Sequence, residues 1–87
     1  MDSAVRTQVA DFVVTNYLFG DAARLPADHE SLVETGIVDS TGILELVEFL
    51  EQTFGIAVTD EETIPDNLGS IANLTRYVSE KQVGATL

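Results

Sequence analysis

Asp39 and Ser40 are the residues in this sequence best placed for chemistry. They follow Gly36-Ile37-Val38 and directly precede an acidic segment of helical periodicity, Ile43 to Phe54. A serine at the first turn of a helix is exposed, and the free N–H groups of that turn favour a nearby anion. Ser40 is therefore well placed to carry a phosphate ester. On the local sequence alone, helix capping is the favoured role, because Ser and Asp are the commonest N-cap residues. The surrounding elements, taken together, are what favour attachment.

Catalytic and metal-binding groups are sparse in this sequence. A serine nucleophile needs a base and an orienting group, and His29, the one histidine, lies in a loop pattern typical of solvated residues. The absence of cysteine excludes disulfides and thiolate sites. The acids at Asp60-Glu61-Glu62 and Asp66 lack the alternating pattern of a calcium loop. We therefore expect no catalytic residue, no dedicated metal site and no enzyme activity.

Charge restricts the class of partner. The 87 residues include 15 acidic and 4 basic residues, for a net charge of −11. Nucleic acid and anionic membrane surfaces are poor partners for such a chain, whereas a basic protein surface is a good one. The alternative is that the acid only confers solubility. No signal peptide or apolar run of about 20 residues is visible, so we expect a cytoplasmic protein. We also expect a monomer.

Hydrophobic periodicity predicts three main helices and one short helix. Apolar residues at helical spacing indicate helices over about 3–18, 40–54 and 69–82. A short helix should begin after Thr59 and be ended by Pro65. The predicted inward residues are Val5, Val9, Phe12, Val13, Ile43, Leu46, Val47, Leu50, Phe54, Ile71, Leu74, Tyr77 and Val78. We expect a single all-α domain over 1–87, a small four-helix bundle with a core of about 3–82.

The elements around Ser40 should position it. Asp39 is the predicted N-cap of the second helix, and Gly55 the left-handed residue at its end. The long connection over 19–39 should be pinned to the core by Leu25, Leu32, Ile37 and Val38. Glu45, Glu48 and Glu51 are spaced by three, so they share one side of the helix. That side is either a binding face or a solvated face.

These residues together resemble the acyl or peptidyl carrier proteins of the phosphopantetheine-binding family. The resemblance covers about Val5 to Val78. The motifs that carry it are Ser31-Leu32, Gly36-Ile37-Val38-Asp39-Ser40, Leu46-Val47-Glu48-Phe49-Leu50-Glu51, Phe54-Gly55-Ile56 and Ile71-Ala72-Asn73-Leu74-Thr75-Arg76-Tyr77-Val78. It implies the acyl-carrier type of bundle. It also implies that Ser40, supported by Gly36 and Asp39, carries a covalent 4'-phosphopantetheine arm derived from coenzyme A.

The resemblance implies a carrier function and a set of partners. A phosphopantetheinyl transferase would attach the arm, a ligase would load an acyl or aminoacyl cargo as a thioester, and downstream enzymes would use it. Basic patches on these enzymes would bind the second helix. The expected recognition residues are Thr41, Gly42, Leu44, Glu45, Glu48 and Glu51. The alternative is an unmodified acidic helical module for protein–protein interaction.

Two departures from the family pattern bear on the cargo. Thr41-Gly42 follows Ser40 where many members have leucine and then an acid. Phe49 lies where carriers of long acyl chains commonly have a smaller residue, and its ring could fill such a cavity. We therefore expect a small cargo, aminoacyl or short acyl. The Asp-Ser-Thr-Gly stretch also resembles freestanding aminoacyl carriers served by synthetase-like ligases.

Overall fold

Three long α-helices and one short α-helix make up the fold. The computed structural model describes residues 3–85, and the side chains of residues 4–39 and 41–82. The helices are α1 (Ser3–Tyr17), α2 (Ser40–Phe54), α3 (Pro65–Leu68) and α4 (Ile71–Ala85), with 3₁₀ turns at Ala22–Arg24 and Asp60–Glu62. Residues 3–85 contain no β-strand. The predicted all-α fold, with three main helices and a short one, is confirmed.

The core lies between the faces that the apolar spacing predicts. α1 packs mainly against α4, and α2 packs against the same core. The innermost side chains of these three helices are fully buried: Val9, Val13, Leu46, Leu50, Ile71, Leu74 and Val78, each 0% exposed. Phe12, Ile43, Val47 and Phe54 are half-buried at the edge of the core. Each fully buried aliphatic side chain contributes about 1.5–3 kcal/mol, which makes this packing the main source of stability.

α1 ends in a reversal that involves two residues. Gly20 has a left-handed backbone, with φ 83°. Phe19 has one too, with φ 56°. The reversal brings the Gly20 N–H to the Val14 carbonyl oxygen at 2.9 Å. The sequence pattern did not indicate the conformation of Phe19, because phenylalanine rarely adopts it.

The segment before α4 differs from the prediction. Thr59 does cap a turn, with a reciprocal capping box to Glu62, but that turn is the 3₁₀ turn Asp60–Glu62. The short α-helix is a separate element that begins at Pro65. Proline therefore starts this helix and does not end it, because its fixed φ suits the first helical position and its missing N–H is not needed there.

The long connection between α1 and α2 is tied to the core, as predicted. Leu32 and Val38 are each 1% exposed. The Leu32 N–H donates to the Gly69 carbonyl oxygen at 2.8 Å, and the Ala72 N–H donates to the Asp28 carbonyl oxygen at 2.8 Å. The connection is thus held by backbone hydrogen bonds to the start of α4 as well as by apolar burial.

A charged pair also fixes this connection to α1. The Arg6 guanidinium donates to both carboxylate oxygens of Asp28, at 2.7 and 2.9 Å. Hydrogen bonding and the positive charge of Arg6 lower the pKa of Asp28. A bidentate pair of this kind holds one geometry better than a single contact does. No local spacing pattern predicted this pair, because the two residues are 22 positions apart.

Candidate functional site

The first turn of α2 is closed by Asp39, as predicted. Asp39 has an extended backbone, and its Oδ1 accepts a hydrogen bond from the Gly42 N–H at 2.7 Å. The first bond within the helix runs from the Ile43 N–H to the Asp39 carbonyl oxygen at 3.0 Å. The N–H groups of Ser40 and Thr41 precede that bond, in the turn where helix donors have no partner within the helix. The Ser40 side chain lies outside the described residues, so its exposure stays a prediction.

The chain reaches Asp39 through a tight turn at Gly36. Gly36 has a φ of 80°, which glycine adopts without steric cost. The N–H groups of Ile37 and Val38 both donate to the Leu32 carbonyl oxygen, at 3.1 and 3.0 Å. The turn and the buried Val38 therefore fix where α2 begins and where Ser40 lies along the chain.

Gly42 is buried beneath Tyr17 of α1. The Tyr17 hydroxyl donates to the Gly42 carbonyl oxygen at 2.9 Å. A Cβ at position 42 would lie 3.1 Å from a Val38 methyl carbon, and 3.3 Å from both Asp39 Oδ1 and the Tyr17 ring. The structure thus gives Gly42 a packing role, in which α2 approaches Tyr17 closely. Its assignment to partner recognition stays a prediction.

The remaining predicted recognition residues line the outer side of α2. Thr41, Glu45, Glu48 and Glu51 are exposed, and Leu44 is 70% exposed. The three glutamates differ in the hydrogen bonds that they accept. The Glu51 carboxylate accepts from the Val58 N–H at 3.1 Å, and the Glu48 carboxylate accepts from Gln52 at 3.1 Å. Glu51 therefore also holds the segment after α2.

An apolar groove opens beside α2, on the side facing α3. It has a volume of about 350 Å³. Its apolar lining residues are Val33, Ile43, Ile64, Pro65 and Leu68. Ile43 lies three positions after Ser40, so the groove begins within one helical turn of that residue. The sequence signal that could have located it is the pair Val33 and Ile64, which are apolar and lie outside every helical stripe.

Phe49 lies on the other side of α2. Its ring stacks on Phe12 of α1, with centroids 4.0 Å apart and planes at 15°, and meets Phe54 edge-on. It does not line the groove beside α3. The ring packs in the crevice between α1 and α2, and whether it limits the space for a long cargo stays a prediction.

The other candidate groups do not assemble into a site in the described part of the chain. His29 is exposed and borders a surface hollow with Pro65, Ser70 and Asn73, at the junction of α3 and α4. Among the described side chains, no group of three or more acids or histidines could hold a metal ion. No helix within residues 3–85 has the length and apolar character needed to cross a membrane.

Comparison with known proteins agrees with these features. No protein-family model matches the chain. A curated relative, the acyl carrier protein of Helicobacter acinonychis (strain Sheeba), is 28% identical over 71 residues, which are 82% of this chain and 87% of the relative. This similarity, added to the helical bundle and to the Asp39-capped start of α2, supports the carrier-protein family.

Proposed function

We propose that this protein is a carrier that holds an acyl or aminoacyl group on a 4'-phosphopantetheine arm attached to Ser40. The observation that carries the proposal is the first turn of α2, where Ser40 is the first helical residue and Asp39 is its N-cap. The similarity to an acyl carrier protein points the same way. The chain would act as a substrate and a shuttle for other enzymes and would not itself be an enzyme.

The residues at the start of α2 fit an attached phosphodiester. Its negative charge would lie beside the N–H groups of Ser40 and Thr41, at the positive end of the helix dipole. Asp39 already binds the Gly42 N–H, so its carboxylate occupies a different donor of the same turn. When bound, the arm supplies a thiol that carries cargo as a thioester. The base that deprotonates Ser40 would come from the transferase that uses coenzyme A.

The outer side of α2 would be the surface that partner enzymes bind. Glu45 and Glu48 follow Ser40 on α2, and both are exposed. The chain carries a net charge of −11. A basic patch on a transferase, a loading ligase or a downstream enzyme would be attracted to this surface and oriented by it. Tethering cargo to one mobile domain raises its effective concentration at each of these enzymes.

The groove beside α3 is large enough for a small cargo. Its volume of about 350 Å³ lies at the lower end of the range of about 300–1,000 Å³ for small-molecule sites. A short acyl group could rest there between encounters with enzymes. We also propose the aminoacyl type of cargo, for which the support is the Asp-Ser-Thr-Gly stretch at Asp39 to Gly42.

Intact-mass spectrometry tests the attachment directly. The protein is incubated with coenzyme A and a broad-specificity phosphopantetheinyl transferase. The wild-type chain should gain the mass of one phosphopantetheine group, and Ser40→Ala should gain none. Thr15→Ala is the matched control, because it removes an exposed hydroxyl on α1, away from the site, and should still gain one group. If the wild type gains no mass with several transferases, an unmodified acidic interaction module becomes the better account.

Charge reversal on α2 tests the docking surface. Glu45→Lys/Glu48→Lys should slow modification by the transferase about tenfold at low salt, with a smaller effect at high salt. The matched control is Asp11→Lys/Glu61→Lys, which changes the net charge by the same amount at exposed positions on α1 and on the 3₁₀ turn. Equal rates for the two double variants would mean that net charge, and not the acidic side of α2, governs the encounter.

A further inference from the structure

Phe19, just beyond α1, combines a strained backbone with an almost fully exposed side chain. Its φ is 56°, and no other non-glycine residue in the described range 3–85 has a positive φ. It is 91% exposed, the highest value among the large apolar residues that are exposed in that range. A left-handed backbone is unfavourable for a bulky side chain. Burial of the ring does not offset that cost here.

The fold alone does not account for a phenylalanine at this position. The reversal after α1 needs left-handed backbone, which glycine adopts without steric cost, as Gly20 does with φ 83°. The core contact at this point comes from the preceding residue, Leu18, which is 2% exposed. Strain of this kind, maintained without a packing benefit, is typical of binding sites.

Phe19 lies at the end of the bundle that carries the first turn of α2. Tyr17 contacts Gly42 through its hydroxyl, and Phe19 follows Tyr17 by two residues, at most about 7 Å of chain. An interface of ordinary size covers about 800 Å² on each partner, which is a patch about 30 Å across. An enzyme that covers Ser40 is therefore wide enough to cover Phe19 as well.

Exposed acids outnumber bases near Phe19, where Arg24 is the one basic residue of the 3₁₀ turn that follows. Asp21 is exposed two residues further on. Burial, and then the negative charges of Glu45 and Asp39, raise the pKa of Tyr17, so those carboxylates act on the same end of the bundle. An apolar ring on an acidic surface is complementary to an apolar socket bordered by Lys and Arg.

We propose that Phe19 is an anchor residue for the enzyme that attaches the arm at Ser40, and that this enzyme receives the ring in an apolar socket with a basic border. The inference rests on the carrier function proposed above. Aromatic side chains that enter a pocket carry a large share of the affinity of an interface. Loss of the ring should therefore weaken binding of that enzyme and leave its chemical step unchanged.

Two substitutions test the ring through the KM for the carrier and the backbone strain through stability in urea. Phe19→Gly removes both, and Phe19→Tyr keeps both. With a phosphopantetheinyl transferase and coenzyme A, Phe19→Gly should raise the KM for the carrier about tenfold at unchanged kcat, the effect of losing one anchor residue. Phe19→Tyr should stay within about twofold of the wild type. In urea, Phe19→Gly should unfold at a higher midpoint than the wild type, because glycine relieves the strain.

The possible results distinguish the carrier function from the anchor role of Phe19. If Ser40 of the wild type gains no phosphopantetheine, both the carrier function and the anchor are wrong. If the wild type is modified and Phe19→Gly has the same KM, only the anchor is wrong. If the wild type sediments as a dimer and Phe19→Gly as a monomer, the ring binds a second copy of the chain and the proposal is overturned. Should Phe19→Gly fold poorly, Phe19→Asn replaces it, since asparagine also tolerates this backbone.

Discussion

Replacing Gly42 by alanine tests whether the start of α2 is packed as tightly as its surroundings indicate. Two effects oppose each other. Alanine is favoured over glycine within a helix by up to about 1 kcal/mol. Against this, the new Cβ would lie 3.1 Å from Val38 and 3.3 Å from Asp39 and from Tyr17. Contacts that short require the neighbours to move.

None of the three neighbours can move freely. Val38 is buried, the Asp39 carboxylate is bound to the Gly42 N–H, and the Tyr17 ring is held by its hydrogen bond to the Gly42 carbonyl. Inserting a methyl group into packed surroundings costs about 1–3 kcal/mol. Overpacking should therefore win, with a net loss of about 1 kcal/mol in the free energy of unfolding, or a Tm lower by about 4–8 °C.

Urea unfolding followed by far-ultraviolet circular dichroism measures this change. Thr41→Ala is the matched control: it is in the same turn but exposed, so it should not destabilise the protein. In a Tyr17→Phe background the ring loses its hydrogen bond and can shift, so Gly42→Ala should cost less there, with a coupling of about 0.5 kcal/mol. A Gly42→Ala variant more stable than the wild type would refute the packing argument.

Three further predictions concern helix ends and pH. Gly55→Ala should cost about 1 kcal/mol in unfolding experiments, from the backbone alone, since Gly55 has φ 66° and no atom lies within 4 Å of an added Cβ. The hydrogen bond from Lys81 lowers the pKa of Glu62. The stability that this bond contributes is present above the ordinary pKa of Glu and is lost as the pH falls through the lowered pKa. Glu62→Gln should therefore flatten the acid side of a stability–pH profile. Burial and the charge of Glu62 raise the pKa of Tyr77 to about 12. Stability should therefore be lost as the pH rises from the ordinary value of about 10 towards 12, and Tyr77→Phe should remove that loss; absorbance of tyrosinate would follow the titration.

Local signals predicted the elements that hold the site. Asp39 and Gly55 mark the two ends of α2 because capping and left-handed closure depend on neighbouring residues only. The burial of Leu32 and Val38 was predictable, because an apolar residue in a long loop is stable only when the core covers it. The same local reasoning assigned Pro65 to the end of a helix, whereas it begins one. Proline is common in both positions.

Contacts between distant residues could not be predicted in this way. Tyr17 and Gly42 are 25 positions apart, and neither residue type indicates the other. The groove beside α3 forms from three segments of the chain, so no single stretch of sequence encodes it. The left-handed backbone of Phe19 is unusual for phenylalanine. The neighbouring Gly20 is enough to explain why α1 ends there, so the sequence offers no reason to expect a second left-handed residue.

The packing of α1 against α4 has a consequence for synthesis of the protein on the ribosome. Val5 and Val9 are buried in a cluster with residues of the last helix, among them Leu74 and Val78. A nascent chain that has not yet produced α4 leaves the apolar face of α1 without its main cover. The bundle should therefore close late, after nearly the whole described chain has been translated, and any chain truncated before α4 should expose that face to chaperones and proteases.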